Sequence, residues 1–162
     1  MFSGADIVGM LTEAGITHVV WVPDSTLGKW ENDLRASRDI RLITVCREGE
    51  AWAVAAGLYL GGARPLVMIQ CTGLFESGDS MRNVLHDFRL PLPSLIGYRS
   101  YLNESTLPGD TAKVYTEPIL KAWNLDYRLI LETAQRDEIV SLWRGCEATG
   151  RPSVVLLAEG RA

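Results

Sequence analysis

Short apolar runs alternate with helix-like stretches along the whole chain, and this alternation limits the fold more than any other feature of the sequence. The apolar runs lie around residues 18–22, 41–46, 65–70, 93–97, 127–131 and 153–158. Some, such as Val154-Val155-Leu156-Leu157, have no polar position at all. A strand with two apolar faces must be covered on both sides, as strands of parallel sheets are. Between the runs, residues 3–14, 27–37, 48–60, 80–88, 117–123 and 136–148 are predicted helical. Ser3 can cap the first of these, Ile7, Val8 and Leu11 share a face, and Gly15 stops it. Such alternation predicts an α/β fold: a three-layer, doubly wound parallel sheet with helices on both faces. Residues 98 to about 110 read as a polar loop.

The 162 residues suit one domain with a real core, and no repeat or long linker divides them. A net charge of -4 argues against non-specific nucleic-acid binding. Cys46, Cys71 and Cys146 are too far apart for a metal-ligand pattern and odd in number for a disulfide framework. No metal site is expected on this chain. No apolar stretch approaches the roughly 20 residues that span a bilayer. The start, Met1-Phe2-Ser3-Gly4-Ala5-Asp6, lacks a basic segment followed by an apolar one, so a cytoplasmic setting is expected. The 5 tryptophans are expected in the core, in a subunit interface, or divided between them.

In open α/β sheets, ligands bind beyond the carboxyl ends of the strands. Four segments therefore become candidates: Pro23-Asp24-Ser25, Arg47-Glu48-Gly49-Glu50, Gln70-Cys71-Thr72-Gly73 and Gly97-Tyr98-Arg99. The second carries the most information. An apolar strand ends, a carboxylate follows at once, and a helix of small residues begins. Ala53, Ala56 and Gly57 would let that helix lie close to another backbone. Taken alone, Glu48 and Glu50 fit equally well as charges that favour a helix start.

Taken together and in order, these segments resemble the pyrimidine-binding (PYR) domain of thiamine diphosphate-dependent enzymes. Within that superfamily the chain is most similar to the phosphonopyruvate and sulfopyruvate decarboxylase branch, over about residues 1–100 and more loosely beyond. Gly15-Ile16-Thr17 with Val22-Pro23-Asp24-Ser25 resembles the first strand and its substrate loop. Arg47-Glu48-Gly49-Glu50-Ala51 with Ala55-Ala56-Gly57 resembles the catalytic glutamate and its helix. Met68-Ile69-Gln70-Cys71-Thr72-Gly73-Leu74 resembles the family's Gln-Asn-Ser-Gly-Leu turn. Leu90-Pro91-Leu92-Pro93 with Leu95-Ile96-Gly97-Tyr98-Arg99 resembles its proline-flanked strand and Gly-Tyr-Arg end.

The resemblance implies that Glu48 is the catalytic carboxylate, with Glu50 its competitor. Glu48 directly follows the strand and precedes Gly49, which favours it. Its role would be to hydrogen-bond a ring nitrogen of the cofactor's aminopyrimidine and favour the tautomer that accepts a proton, while the cofactor supplies the organic chemistry. Glu48, Gly49, Thr72, Gly73 and Leu74 are then the expected cofactor contacts. Pro23, Asp24, Ser25 and Arg99 are the expected substrate contacts, Arg99 because a guanidinium suits an anionic tail. The diphosphate and its Mg²⁺ are held by a separate domain in this family, marked by Gly-Asp-Gly. Gly78-Asp79-Ser80 reads instead as a loop entering a helix, with Asp79 or Ser80 as its cap. A beta subunit carrying the diphosphate-binding domain is therefore expected, in a heterodimer or heterotetramer, with thiamine diphosphate shared between the chains.

Phe75 and Glu76 stand where the family has glycine and asparagine, and Lys113-Val114-Tyr115 where it often has a histidine. Lys113 is ambiguous between an anion contact and a solvated cation, and His18 and His86 are assigned no role. Three functions follow: decarboxylation of a small anionic 2-oxo acid, carboligation by a relative with a changed pocket, or a non-catalytic regulatory subunit. Glu48 argues against the last, because such a subunit has no need of that carboxylate.

Overall fold

The computed structural model describes residues 2–102 and 109–159. Six strands form its centre: β1 (His18–Trp21), β2 (Arg41–Thr44), β3 (Pro65–Gln70), β4 (Pro93–Tyr98), β5 (Tyr127–Ile130) and β6 (Ser153–Ala158). They form one sheet in the order β2-β1-β3-β4-β6-β5, and every neighbouring pair is parallel. All carboxyl ends therefore lie along one rim. Chain order reverses between β1 and β3, which makes their shared end the topological switch point where such sheets bind ligands.

Among the described residues seven α-helices cover the sheet: α1 (Gly4–Glu13), α2 (Glu31–Ala36), α3 (Glu48–Leu60), α4 (Cys71–Glu76), α5 (Gly78–Arg82), α6 (Thr111–Ala122) and α7 (Arg136–Thr149). The side-chain alternation of the strands sends their residues to two cores. Val20, Val67, Ile69, Ile96, Val154 and Leu156 pack with α3 to α6 on one face. Val19, Trp21, Leu66, Met68, Leu95, Val155 and Leu157 pack with α1, α2 and α7 on the other. The central strands β3 and β4 are buried at every position, including the polar Gln70 and Ser94 in their otherwise apolar runs. The three-layer doubly wound sheet expected from the sequence is the observed fold.

Local departures have local causes. Residues 27–37 are not one helix. The Asp24 carboxylate accepts the backbone N–H groups of Thr26 and Leu27 at 2.6 and 2.9 Å, fixing a turn. A 3-10 turn, Gly28–Trp30, then leads into the short α2. The predicted helix at 80–88 begins earlier, as α5, and continues as a π-helical segment, Asn83–Asp87. Neither Asp79 nor Ser80 caps it. Asp79 lies inside the helix and binds Arg82 at 2.9 Å. α6 starts well before residue 117, because Asp110 caps it by accepting the Ala112 N–H at 3.1 Å. Of the loop expected at 98–110, residues 103–108 lie outside the described residues.

Trp21, Trp30, Trp52 and Trp143 are almost completely buried, so core packing accounts for them. Trp123 is partly buried at the end of α6. Among the described residues, no helix is long and apolar enough to cross a membrane.

Candidate functional site

Three carboxylates gather where α3 begins, and two of them are already engaged. Arg47, extended at φ -145°, provides no side-chain cap for the helix. Glu76, at the end of α4, supplies what is missing. One of its oxygens accepts the Gly49 N–H at 2.7 Å, and the other accepts the Arg47 guanidinium at 2.8 Å. These bonds, the Gly49 N–H first, hold the Glu76 carboxyl below the usual glutamate range. Glu50 turns back and accepts the Cys46 N–H at 3.0 Å.

Glu48 differs from both. Its side chain lies across the Cα of Gly73, on α4. A Cβ added at Gly73 would come within 2.3 Å of Glu48 Cγ and 2.7 Å of its Cδ and Oε1. Only a residue without a side chain leaves room for this placement. Glu48 is partly buried at the rim, and among the described residues its carboxylate has no hydrogen-bond or ion-pair partner. At Gly49 the constraint is weaker: an added Cβ would lie 3.1 Å from Ser80 Oγ, a tight contact with a side chain. Leu74 is fully enclosed in the core and supports α4 from beneath, while Thr72 is partly exposed.

The other expected residues lie along the same rim. Pro23 and Ser25 are exposed in the loop after β1. Asp24 between them is partly buried. Its Oδ1 is occupied by the turn, and its buried Oδ2 has no partner. Gly97 near the end of β4 packs against this loop: an added Cβ would meet Leu27 Cδ2 at 2.9 Å and Thr26 Cγ2 at 3.0 Å. Arg99, just beyond β4, is not a free cation. Asp110 holds it through two parallel bonds, Nε to Oδ2 and Nη2 to Oδ1, both 3.1 Å. The structure thus brings Asp24, Thr72, Gly73, Glu48 and Arg99 to one end of the sheet.

Sequence reading gave no role to three residues that organise this rim. They are Gln70, whose buried side chain bonds to Thr26 at 2.6 Å, Glu76 and Asp110. The first had a visible signal, a polar residue closing an otherwise apolar strand. Lys113 stacks over the ring of Tyr101 at 5.3 Å. His18 opens β1 at the opposite end of the sheet, where burial and then Arg41 push its pKa down. His86 lies in the π-helical segment near Trp123.

Comparison with known proteins identifies the family and the fold. Residues 1–100 match the family described as thiamine pyrophosphate enzyme, N-terminal TPP binding domain. A phosphonopyruvate decarboxylase of Streptomyces viridochromogenes is 32% identical over 92% of this chain and 37% of its own length. One of Streptomyces hygroscopicus is 36% identical over 67% of this chain and 27% of its own length. The chain thus spans about a third of these relatives. The sulfopyruvate decarboxylase subunit alpha of Methanococcus maripaludis is 27% identical over 72% of this chain and 70% of its own length. Among solved structures, benzoylformate decarboxylase from Polynucleobacter necessarius shares the fold. It has a TM-score of 0.67 and 19% identity, and the match covers 98% of this chain and 30% of that one.

Proposed function

The chain belongs to the thiamine pyrophosphate enzymes through their N-terminal TPP-binding domain, and from that premise we propose that it is the pyrimidine-binding alpha subunit of a decarboxylase acting on a small anionic 2-oxo acid. The observation that carries this reading is the unpartnered Glu48 carboxylate lying over Gly73 at the switch-point rim. A carboxylate used only to start a helix would be engaged as Glu50 and Glu76 are.

The residues present fit thiamine diphosphate. Glu48 offers a free acceptor, and the space over Gly73 is kept open by the absent side chain. The cofactor, when bound, supplies the acidic ring carbon and the electron sink that let a 2-oxo acid lose carbon dioxide. Glu48 would hold a proton at the pyrimidine nitrogen, with Gly49, Thr72 and Gly73 lining the ring and Leu74 supporting the turn from behind. Asp24, whose buried Oδ2 is without a partner, and Arg99, with Pro23 and Ser25 beside them, would form the substrate side of the site. A beta subunit carrying the diphosphate-binding domain and Mg²⁺ would complete the site in a heterodimer or heterotetramer. The separate alpha subunit among the relatives supports this arrangement. Glu76 is committed to the start of α3 and gives no separate reason to prefer carboligation.

The test is co-expression with the diphosphate-binding subunit and an assay of carbon dioxide release from phosphonopyruvate and sulfopyruvate. Glu48→Gln should lower kcat by at least about 100-fold, the lower end of the range for a proton-transfer group, while the subunits still assemble. Near-normal turnover by this variant would refute the assignment.

A further inference from the structure

β3 ends on Gln70, 7% exposed, whose amide is the meeting point of the rim. Its Nε2 donates to Thr26 Oγ1 at 2.6 Å and lies 3.4 Å from Asp24 Oδ1. Its Oε1 accepts from Thr72 Oγ1 at 2.9 Å and from Arg99 Nη1 at 3.2 Å. One side chain thus joins the loop after β1, the start of α4 and the end of β4.

The orientation of this amide is set by charge. The N–H₂ end faces a carboxylate and the carbonyl end faces a guanidinium, so a flipped amide would be repelled at both ends. An amide serves both neighbours because it has a donor and an acceptor in fixed positions. Asp24 and Arg99 are opposite charges in contact with the two ends of one group. Without that group they would attract each other directly, and more strongly in this partly buried setting than in water. Their collapse onto each other would consume Asp24 Oδ2, which is now buried without a partner. It would also draw Arg99 away from Asp110. A guanidinium has five N–H groups; three atoms, Nε, Nη1 and Nη2, each make one of the bonds described, so among the described residues two N–H groups remain unengaged.

We propose that Gln70 is a positioning residue that keeps Asp24 and Arg99 apart, so that the two do not neutralise each other and Arg99 keeps two N–H groups, unengaged among the described residues, for the substrate. The inference rests on the reading of this rim as the substrate end of the site. It assigns Gln70 its main effect on substrate binding: Glu48 and Gly73 make no bond to it, and its one link to the residues lining the cofactor is the Thr72 hydroxyl.

The test uses the chain assembled with its diphosphate-binding subunit, with phosphonopyruvate and sulfopyruvate as substrates. Gln70→Met keeps the length and removes both polar ends. It should raise KM by about 10-fold or more, since tenfold corresponds to about 1.4 kcal/mol, the scale of a lost hydrogen bond to a charged group. kcat at saturation and the Kd for thiamine diphosphate should stay within about threefold of wild type. Should that variant fail to assemble, Gln70→Glu provides the second arm. It keeps an oxygen toward Arg99 but places a carboxylate against Asp24, and it should also raise KM selectively. An unchanged KM would overturn the proposal, as would parallel losses of KM, kcat and cofactor affinity, which would mark damage to the fold. Glu48→Gln measured alongside separates the two claims. If that variant is inactive and Gln70→Met binds substrate normally, only the Gln70 inference fails. If Glu48→Gln is active, or wild type turns over neither acid, the functional reading fails and this inference with it.

Discussion

Gly73→Ala isolates the aim of Glu48 from the stability of the fold. The added methyl would lie 2.3 Å from Glu48 Cγ, whereas ordinary contact begins near 3.4 Å. One of the two must retreat by about 1 Å. α4 is packed against α3, β3 and β4, while Glu48 is a partly exposed side chain with no bond to hold it, so Glu48 will move. A misplacement of about 1 Å in a reacting group costs about 100-fold in rate, or roughly 2.7 kcal/mol of barrier. The backbone at Gly73 is helical, and alanine is favoured over glycine there by about 0.8–1 kcal/mol. Stability should therefore hold or rise slightly while turnover collapses. Thermal unfolding of the isolated chain and carbon dioxide release by the assembled enzyme measure the two effects separately. Turnover within threefold of wild type would refute the argument, and so would a lowered unfolding temperature that accounts for the lost activity.

The carboxylates around the site yield two more expectations. Glu76→Gln weakens the cap on α3 and should cost about 1 kcal/mol at pH 7, the usual value of such a cap, read from denaturant unfolding. The folded-state pKa of Glu76 is lowered, so its stabilisation is present above the ordinary glutamate range and is lost as pH falls through the folded value. The gap between variant and wild type should therefore close in acid. Glu159 has the opposite sign. Burial pushes its carboxyl up, against the opposing pull of Lys29 at 3.0 Å. Its contribution is complete below the ordinary range and falls as pH rises through the folded value. Lys29→Met should thus destabilise the chain more at pH 8 than at pH 5, by about 1–3 kcal/mol given the partial exposure of Lys29. Equal losses at the two pH values would contradict this.

The strands were legible because burial on both faces leaves an unambiguous apolar record, and β3 and β6 lie where the runs at 65–70 and 153–158 place them. α3 was legible from its abrupt start after Cys46 and its stop at Gly61. α4 was not, because Cys71–Glu76 has Gly73 in its middle, which reads as a turn. That glycine is there to admit Glu48, a reason that lies in another segment of the chain. The start of α6 was hidden for a related reason: its cap, Asp110, also answers to Arg99. The preference for Glu48 over Glu50 was legible from its place directly after the strand and before Gly49; what the sequence could not show is that Glu50 is occupied by the Cys46 N–H.

The position of β6 between β4 and β5 has a consequence for how the molecule is assembled. Until β6 is made, β4 exposes a raw edge of main-chain donors and acceptors, and β5 has no neighbour to dock on. A nascent chain halted before residue 153 would therefore be a sticky, incomplete sheet and a natural client for holdase chaperones. Closure of the sheet and maturation of the Asp24–Arg99 rim should then occur together, late, in a single cooperative event.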